Sequence, residues 1–555
     1  MTLKTLDVRP QDVGLRYRPL RQSRWRGIAM SAQEESVEVL SDQDTMAGVL
    51  RGDVFVSLDE LMSRARRAGT GLQALGVEPG GSVALLLRND HEFFEAAFAA
   101  SALGAATVPI NWHGSAEEVA YVVNDSKAKV LVAHADLLRH VRHALPASVE
   151  VLGVPTPSSI AERFEISDDD ATLPSDVTAW SAWRDGFEEL TDTYIGDPLS
   201  MIYTSGTTGH PKGVRRLPGT NDGSLAIDYM SEVSKLFGAW PGMRTIIAGP
   251  MYHSAPYAYG LVAARAYGAF LVLEDRFDPE EFLSLVERHQ ITSMYMVPTM
   301  FVRLLRLPPE VRDRYDISSL RHVSHTAAPC PPDVKRAIIE WWGPIVDEFY
   351  GSTEVGFITG CTSEEWLAHP GTVGRPLPSS DVLVIGEDGP VAVGESGEVF
   401  VRARANSDFT YFGKDEARAE VERDGLITCG DIGFLDADGF LYLCDRARDM
   451  IISGGVNIYP IEIEACLLKL PGIADCAVFG IPDDEFGESI AAAVKLDDGV
   501  ELSAGEIRAH VREHLAGFKV PKVVTFHESL PREDSGKMFK RKLRQPYWEN
   551  AGRSI

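Results

Sequence analysis

The sequence predicts an α/β protein. A large N-terminal domain of parallel, helix-covered sheets ends in a β-rich subdomain, and a small α+β domain follows. Three observations lead there. Helix and strand signals alternate from about Val54. Short strands with glycine turns take over from about Asp381. A compact helix–strand pattern resumes after Arg446-Ala447-Arg448. At 555 residues the chain exceeds one core, and 45% apolar with 24% charged residues is a globular composition.

Taken in order, Ser57-Leu58-Asp59-Glu60 has capping-box spacing and opens a helix. The run Val83-Ala84-Leu85-Leu86-Leu87 behind Gly80-Gly81 suits a buried strand. A helix near His91–Leu103, a strand near Ala106–Ile110, a second capping box at Ser115–Glu118 and a strand at Val130–Ala133 follow. Repeated β-α units of this kind favour a parallel sheet covered on both faces. Residues 165–197, acidic and turn-rich, read as a surface excursion. Strands are expected at Val382–Ile385, Gly397–Val401, Gly425–Thr428 and Gly439–Cys444. The C-terminal part offers helices near Pro460–Leu468 and Ala504–Leu515 with strands near Cys476–Ile481 and Ala491–Lys495. The expected domains are an arm over 1–45, the large domain over 46–445 with its β-rich part at 381–445, and a small domain over 449–555.

The formal charge of −27 argues against a nucleic-acid partner or an anionic membrane surface, since both attract basic proteins. Any anionic substrate must then be held by local cations and aimed N–H groups. The six cysteines form no C-x-x-C pair, which favours reduced thiols and a cytoplasmic setting without structural zinc. No apolar run is long enough for a transmembrane segment, and no secretory signal opens the chain. The arginines before Met30 sit with Asp7 and Asp12, so they read as a plain arm; translation from Met1 or from Met30 both fit.

The strongest local signal is Tyr203-Thr204-Ser205-Gly206-Thr207-Thr208-Gly209-His210-Pro211-Lys212-Gly213. Small hydroxylated and glycine residues let a backbone approach phosphate and point N–H groups at it, and Lys212 adds a mobile positive charge. The spacing is not that of a Walker A loop: the glycines are too close and Gly213 follows the lysine. Four more segments follow in order: Tyr350-Gly351-Ser352-Thr353-Glu354; Thr428-Cys429-Gly430-Asp431 with Asp445-Arg446; the run from Asp445 through Arg448 and Ser453-Gly454-Gly455 to Glu464; and the run from Leu530 through Ser535-Gly536-Lys537 to Arg541. Singly, an aromatic-Gly-polar-Glu stretch is usually a turn and a C-terminal basic cluster usually solvated surface.

Together, over about residues 50–545, they resemble the adenylate-forming superfamily: acyl-CoA synthetases, adenylation domains of nonribosomal peptide synthetases and beetle luciferases, with the acyl-CoA synthetases closest. The resemblance implies an acid–thiol ligase. ATP activates a carboxylic acid as acyl-AMP with loss of pyrophosphate, and coenzyme A then takes the acyl group and frees AMP. It implies ATP with Mg2+ and coenzyme A as co-substrate. Thr204, Ser205, Gly206, Thr207, Thr208 and Gly209 would hold phosphate. Thr326, Ala327, Tyr350, Gly351, Ser352 and Thr353 would flank AMP, with Asp431 and Arg446 at the ribose. Glu354, assisted by Thr207, would hold the metal, and Lys212, His253, Glu354 and Lys537 would serve catalysis. Ser453, Gly454 and Gly455 would line the coenzyme A tunnel. Residues 446–448, with Arg448 at the pivot, would form a hinge that makes the C-terminal domain mobile. Many relatives carry Asp or Lys at that pivot, and Thr-Gly-Asp where this chain has Cys429 before Gly430-Asp431. Met251–Pro256 resembles the aromatic gate of the acyl pocket, which Tyr257, Tyr259, Gly260, Met296, Thr299 and Met300 would line. A medium or large hydrophobic acid suits that lining, whether in fatty-acid or secondary metabolism. Monomer and homodimer both fit. The alternatives are an enzyme of one half-reaction, or one that loads a carrier protein.

Overall fold

The computed structural model describes residues 47–194, 200–204, 211–217, 231–403, 408–446, 449–453, 456–483, 486–532 and 538–549. The alternating segment builds a five-stranded, wholly parallel sheet. Its order is Ala106–Pro109, Ser82–Leu86, Val130–His134, Glu150–Val154, Thr178–Ala179. Every residue of Ser82–Leu86 is buried, which is why it reads as a continuous apolar run. The Ser57 hydroxyl accepts the Glu60 N–H at the start of helix Leu58–Ala74, and a complete capping box at Ser115 opens Ala116–Asp125.

A second sheet orders Arg244–Ile247, Phe270–Leu273, Gly48–Arg51 and Val54–Ser57, with only the last strand antiparallel to its neighbour. A third orders Ser293–Met296, His322–His325, Val346–Ser352, Gly356–Cys361 and Arg375–Pro376. Its first three strands run parallel, so Thr326 follows the end of one and Tyr350 sits near the end of the next. One apolar core, including Phe93, Phe237, Tyr259, Leu271, Met294 and Phe301, serves these layers.

The acidic stretch at 165–197 is only partly a surface excursion. Thr178–Ala179 adds a strand to the parallel sheet, and Trp180 is fully buried. Its indole N–H donates to Glu95 Oε2 at 2.9 Å, and Arg184 reaches the same oxygen at 2.6 Å. A buried carboxylate needs such partners; Arg64 supplies one at 3.2 Å, and the acidic run hid the other two.

The β-rich part is antiparallel: Ser380–Gly386, Gly397–Ala403, Leu426–Leu435 and Leu441–Arg446 pair in sequence order. Beyond it, Ile473–Asp483 and Gly487–Leu496 form a long antiparallel pair, and Val523–Phe526 adds in parallel. Helices Pro460–Leu467 and Ala504–His514 close a separate core around Ile463, Leu467, Val478, Val494, Ile507 and Val511. All six cysteines are free thiols, and no helix among the described residues is long and apolar enough to cross a membrane.

Candidate active site

The hairpin of Met201–Thr204 and Lys212–Arg216 carries the two ends of the Gly-rich loop. Thr204 and Lys212 are cross-strand partners, whereas Ser205, Gly206, Thr207, Thr208 and Gly209 lie outside the described residues. Both ends are pinned by distant side chains. The Tyr203 hydroxyl donates to Asp125 Oδ2 at 2.8 Å, and burial with this carboxylate pushes the phenol well above its ordinary pKa. On the other side Tyr121 and Lys414 both donate to the Pro211 carbonyl, at 3.2 and 3.3 Å. Lys414 Nζ also donates to the Tyr121 hydroxyl at 2.6 Å and stands 3.7 Å from Asp125.

Strand Phe409–Tyr411 pairs with Lys212–Arg216 and brings Tyr411 to the site. The Tyr411 hydroxyl donates to Glu354 Oε1 at 3.1 Å, while Lys212 Nζ lies 5.1 Å from the centre of the same ring. One tyrosine therefore spaces the loop lysine from the carboxylate. Burial and the Glu354 charge raise its pKa, so it remains a donor. Arg216 donates to the Thr353 carbonyl at 2.9 Å, and the Thr353 hydroxyl donates to Ser254 Oγ at 3.3 Å. Ser254 opens helix Ser254–Tyr267, for which His253 is the N-cap residue. The His253 ring packs on Tyr252 with centroids 4.3 Å apart.

The Tyr350–Glu354 segment needs its glycine. A Cβ on Gly351 would stand 2.3 Å from the Gly356 carbonyl oxygen, so no side chain fits that turn. The Tyr350 hydroxyl donates to Asp431 Oδ2 at 2.5 Å. The Cys429 thiol donates to Ser352 Oγ at 3.2 Å, so the cysteine bridges two of the predicted segments rather than facing away. Gly430, at φ +72°, turns the strand between them. Asp431 and Arg446 are cross-strand partners. Thr326 leads into Ala327 at φ +78°, a left-handed backbone that a Cβ disfavours. Ala327→Gly is expected to raise stability by up to about 1 kcal/mol, because relief of backbone strain exceeds the added entropy of the unfolded chain. The midpoint of urea unfolding checks this; an unchanged or lower midpoint would remove the strain argument.

The predicted acyl lining is less unified. The Tyr257 ring meets Phe93 edge-on at 6.2 Å, and Tyr259 turns to Phe237 at 5.1 Å. The Tyr259 hydroxyl is shared with Thr245 at 2.9 Å and Ser293 at 3.4 Å. Burial pushes both phenols up to about 12, so both stay neutral. Gly260 leaves room for Met251 and Phe94, whose atoms would be 3.3 and 3.6 Å from a Cβ there. Met296 and Met300 are buried and Thr299 half-buried. Tyr257 and Gly260 thus share one side of the helix, Tyr259 turns to another, and both tyrosines are buried in the one core. Sequence reasoning missed Asn89. Its Nδ2 donates to the Gly249 carbonyl at 3.0 Å, and its Oδ1 accepts the Met251 N–H at 2.9 Å, fixing the start of the Met251–Pro256 segment from another sheet.

Ser453 ends the short strand Ile451–Ser453, paired with Val456 and Gly487. Gly454, Gly455, Arg448, Lys537 and the Arg446 side chain lie outside the described residues. The two ends of the Lys537 segment are described. Arg532 and Met538 face each other across an antiparallel bridge, and Arg532 makes a bidentate pair with Asp475 at 2.6 and 2.7 Å.

A layered α/β body, a β-rich appendage and a small α+β unit, with these segments in this order, define an adenylate-forming enzyme. The chain belongs to the AMP-binding enzyme family, which it matches over residues 34–407, with the AMP-binding enzyme C-terminal domain over 462–537. It is 34% identical to a feruloyl-CoA synthase of an Amycolatopsis species, across 90% of this chain and 95% of that one. Among solved structures it resembles o-succinylbenzoate CoA synthetase from Bacillus subtilis, solved in complex with its acyl-adenylate. The TM-score is 0.73 at 27% identity, covering 94% of this chain and 97% of that one. It also resembles the amide bond synthetase McbA from Marinactinospora thermotolerans, with TM-score 0.74 at 27% identity over 91% and 98%.

Proposed function

We propose that this protein is an AMP-forming acyl-CoA ligase for a hydrophobic carboxylic acid. The observation that carries the reading is one continuous set of contacts. Tyr411 joins Glu354 to Lys212, Thr353 joins the same segment to the gate helix, and Tyr350 joins it to Asp431. Nucleotide, carboxylate and acyl chain each need one of these parts, and here they share a wall.

A carboxylate acylates poorly because oxide is a poor leaving group. Attack of the carboxylate oxygen on the α-phosphorus of ATP expels pyrophosphate and leaves a mixed anhydride with AMP. No enzyme nucleophile is needed; positioning and charge neutralisation suffice. Lys212 and Lys537 neutralise the phosphate charge that grows during this step. Asp431 accepts the ribose hydroxyls, with Arg446 beside it. Mg2+ suits Glu354, a carboxylate whose described partner is a neutral hydroxyl rather than a cation. When bound with ATP it supplies Lewis-acid stabilisation of the phosphates. His253 and Met251 gate the acyl chain toward Tyr257 and Gly260. In the second step the thiol of coenzyme A, passing the Ser453-Gly454-Gly455 turn, attacks the acyl carbonyl and releases AMP. The hinge around Arg448 allows the C-terminal domain to turn between the two steps.

Tyr411→Phe removes a hydrogen bond to a charged group, worth about 1.5–3 kcal/mol. The expected result is an adenylation rate about tenfold or more lower in protein still folded under the assay conditions, with stability lowered by up to that amount, as urea unfolding would show. An unaltered rate would place Glu354 outside the step.

Mass spectrometry of products from ATP, Mg2+, coenzyme A and a panel of aryl, fatty and polycyclic acids tests the whole reading. Acyl-CoA with equimolar AMP supports it. AMP formation with no thioester, but with amide when amines are supplied, would favour the second reading suggested by the amide bond synthetase. No acid-dependent AMP from any substrate would end both.

A further inference from the structure

Two clusters of metal-type ligands occur among the described residues. Asp90, His91 and Glu92 form one, but Asp90 already holds Arg51 at 2.8 Å and His134 at 3.1 Å, so a cation is in place. The other lies in the small C-terminal unit, on two helices that carry none of the site residues described above. Cys466 belongs to helix Pro460–Leu467, while His510 and His514 lie one turn apart on helix Ala504–His514. One thiol sulfur and one nitrogen from each imidazole lie within 4.8 Å of one another.

The histidine hydrogen bonds prepare them for a metal. His510 Nε2 lies 3.0 Å from the Cys466 carbonyl, and His514 Nδ1 lies 2.8 Å from the His510 carbonyl. A carbonyl only accepts, so each of these nitrogens carries the proton. That leaves the opposite nitrogen of each ring to bind an ion through its lone pair once any proton there is displaced. Metal-ligating histidines are oriented in this way, with one N–H on a backbone carbonyl and the other nitrogen on the ion. The two rings are close and tilted to one another, with centroids 4.3 Å apart and an interplanar angle of 38°. Cys466 is buried and His514 exposed, so the cluster opens to solvent on one side.

Against the expectation drawn from cysteine spacing, which brings no two cysteines together, we propose that Cys466, His510 and His514 form a binding site for a borderline-soft divalent cation, Zn2+ foremost, that staples these two helices together. A thiolate with two imidazoles matches zinc, whereas Mg2+ and Ca2+ demand oxygen ligands. Tetrahedral zinc places its ligand atoms about 3.5 Å apart, so side-chain rotation of about 1 Å closes the set and leaves one position for water. Binding replaces the S–H bond with a metal–sulfur bond and releases the thiol proton to buffer. The stapled helix Pro460–Leu467 follows strand Val456–Ile458, so the metal would brace the junction between the two.

The test uses tag-free full-length protein titrated with Zn2+ and, separately, with Co2+. One equivalent of Zn2+ per chain and a cobalt–thiolate charge-transfer band are expected. His514→Ala, at an exposed position outside the catalytic machinery, should weaken Zn2+ at least about tenfold and leave basal ligase activity unchanged. Cys466→Ser should abolish the cobalt band. No stoichiometric Zn2+ binding to the wild-type chain, or Zn2+ affinity unchanged in His514→Ala, would overturn the site.

Discussion

Lys537→Ala is expected to lose acyl-adenylate formation by about 10²–10³-fold, the usual cost of removing one preorganised charge donor from a transition state. The same variant, given preformed acyl-adenylate and coenzyme A, should make thioester at close to the wild-type rate. The argument rests on the order of events. Negative charge grows on the phosphates only while pyrophosphate leaves, so a lysine that serves this step has no work in the second. Its placement relies on the segment's ends: the bridge between Arg532 and Met538, and the Arg532–Asp475 pair, tie the loop to the C-terminal sheet. A second anchor follows at once, where Lys540 meets Glu464 at 2.9 Å. Burial opposes the Lys540 charge, yet Glu464 and two nearby aspartates hold its pKa above the ordinary value. Single-turnover measurement of each half-reaction decides the matter. Equal losses in both would mean that Lys537 holds the domain together rather than neutralising phosphate.

The segments that make up the candidate site were legible in the sequence because each is a short run of contiguous residues. Gly351, Asp431, Glu354 and Lys212 stand in such runs, and their types follow from what they must touch. The acyl lining was harder to read, because apolar residues on one helix serve both pocket and core. Tyr257 and Tyr259 differ by two positions and turn to different neighbours. The supporting residues were not legible at all. Lys414 and Tyr121 meet across 293 positions, and Tyr411 reaches Glu354 across 57. Nothing local marks a tyrosine that spaces a lysine from a carboxylate; only the sheet register of Phe409–Tyr411 against Lys212–Arg216 does so. The acidic stretch misled for the complementary reason. Its composition speaks for solvent, yet Trp180 and Arg184 are recruited to the buried Glu95, a partner set far back in the chain.

The largest stability effect is expected at Lys335, an amino group with no solvent exposure. Its Nζ donates to Glu348 Oε2 at 2.7 Å and lies 4.9 Å from the centre of the Trp366 ring. His325 Nε2 approaches the same carboxylate at 3.4 Å; burial, then the lysine charge, drives its pKa far down, so it stays neutral. Burial raises the Glu348 pKa, and Lys335 opposes that rise. Lys335→Met removes the opposition and strands a carboxylate, which costs about 3–5 kcal/mol. That deficit should shrink as pH falls toward the ordinary glutamate value of about 4.3, because protonation of Glu348 removes the stranded charge. The double variant Lys335→Met with Glu348→Leu leaves no charge to solvate and should recover most of the loss or exceed the parent. Urea unfolding of the parent, single and double variants across pH makes the comparison. The pair also stands on the strands that lead to the proposed nucleotide residues: His325 precedes Thr326, and Glu348 lies two residues before Tyr350. If the double variant folds as stably as the parent yet shows a higher KM for ATP with kcat intact, the buried charges position these strands. A double variant no more stable than the single would mean that this core requires the ion pair itself.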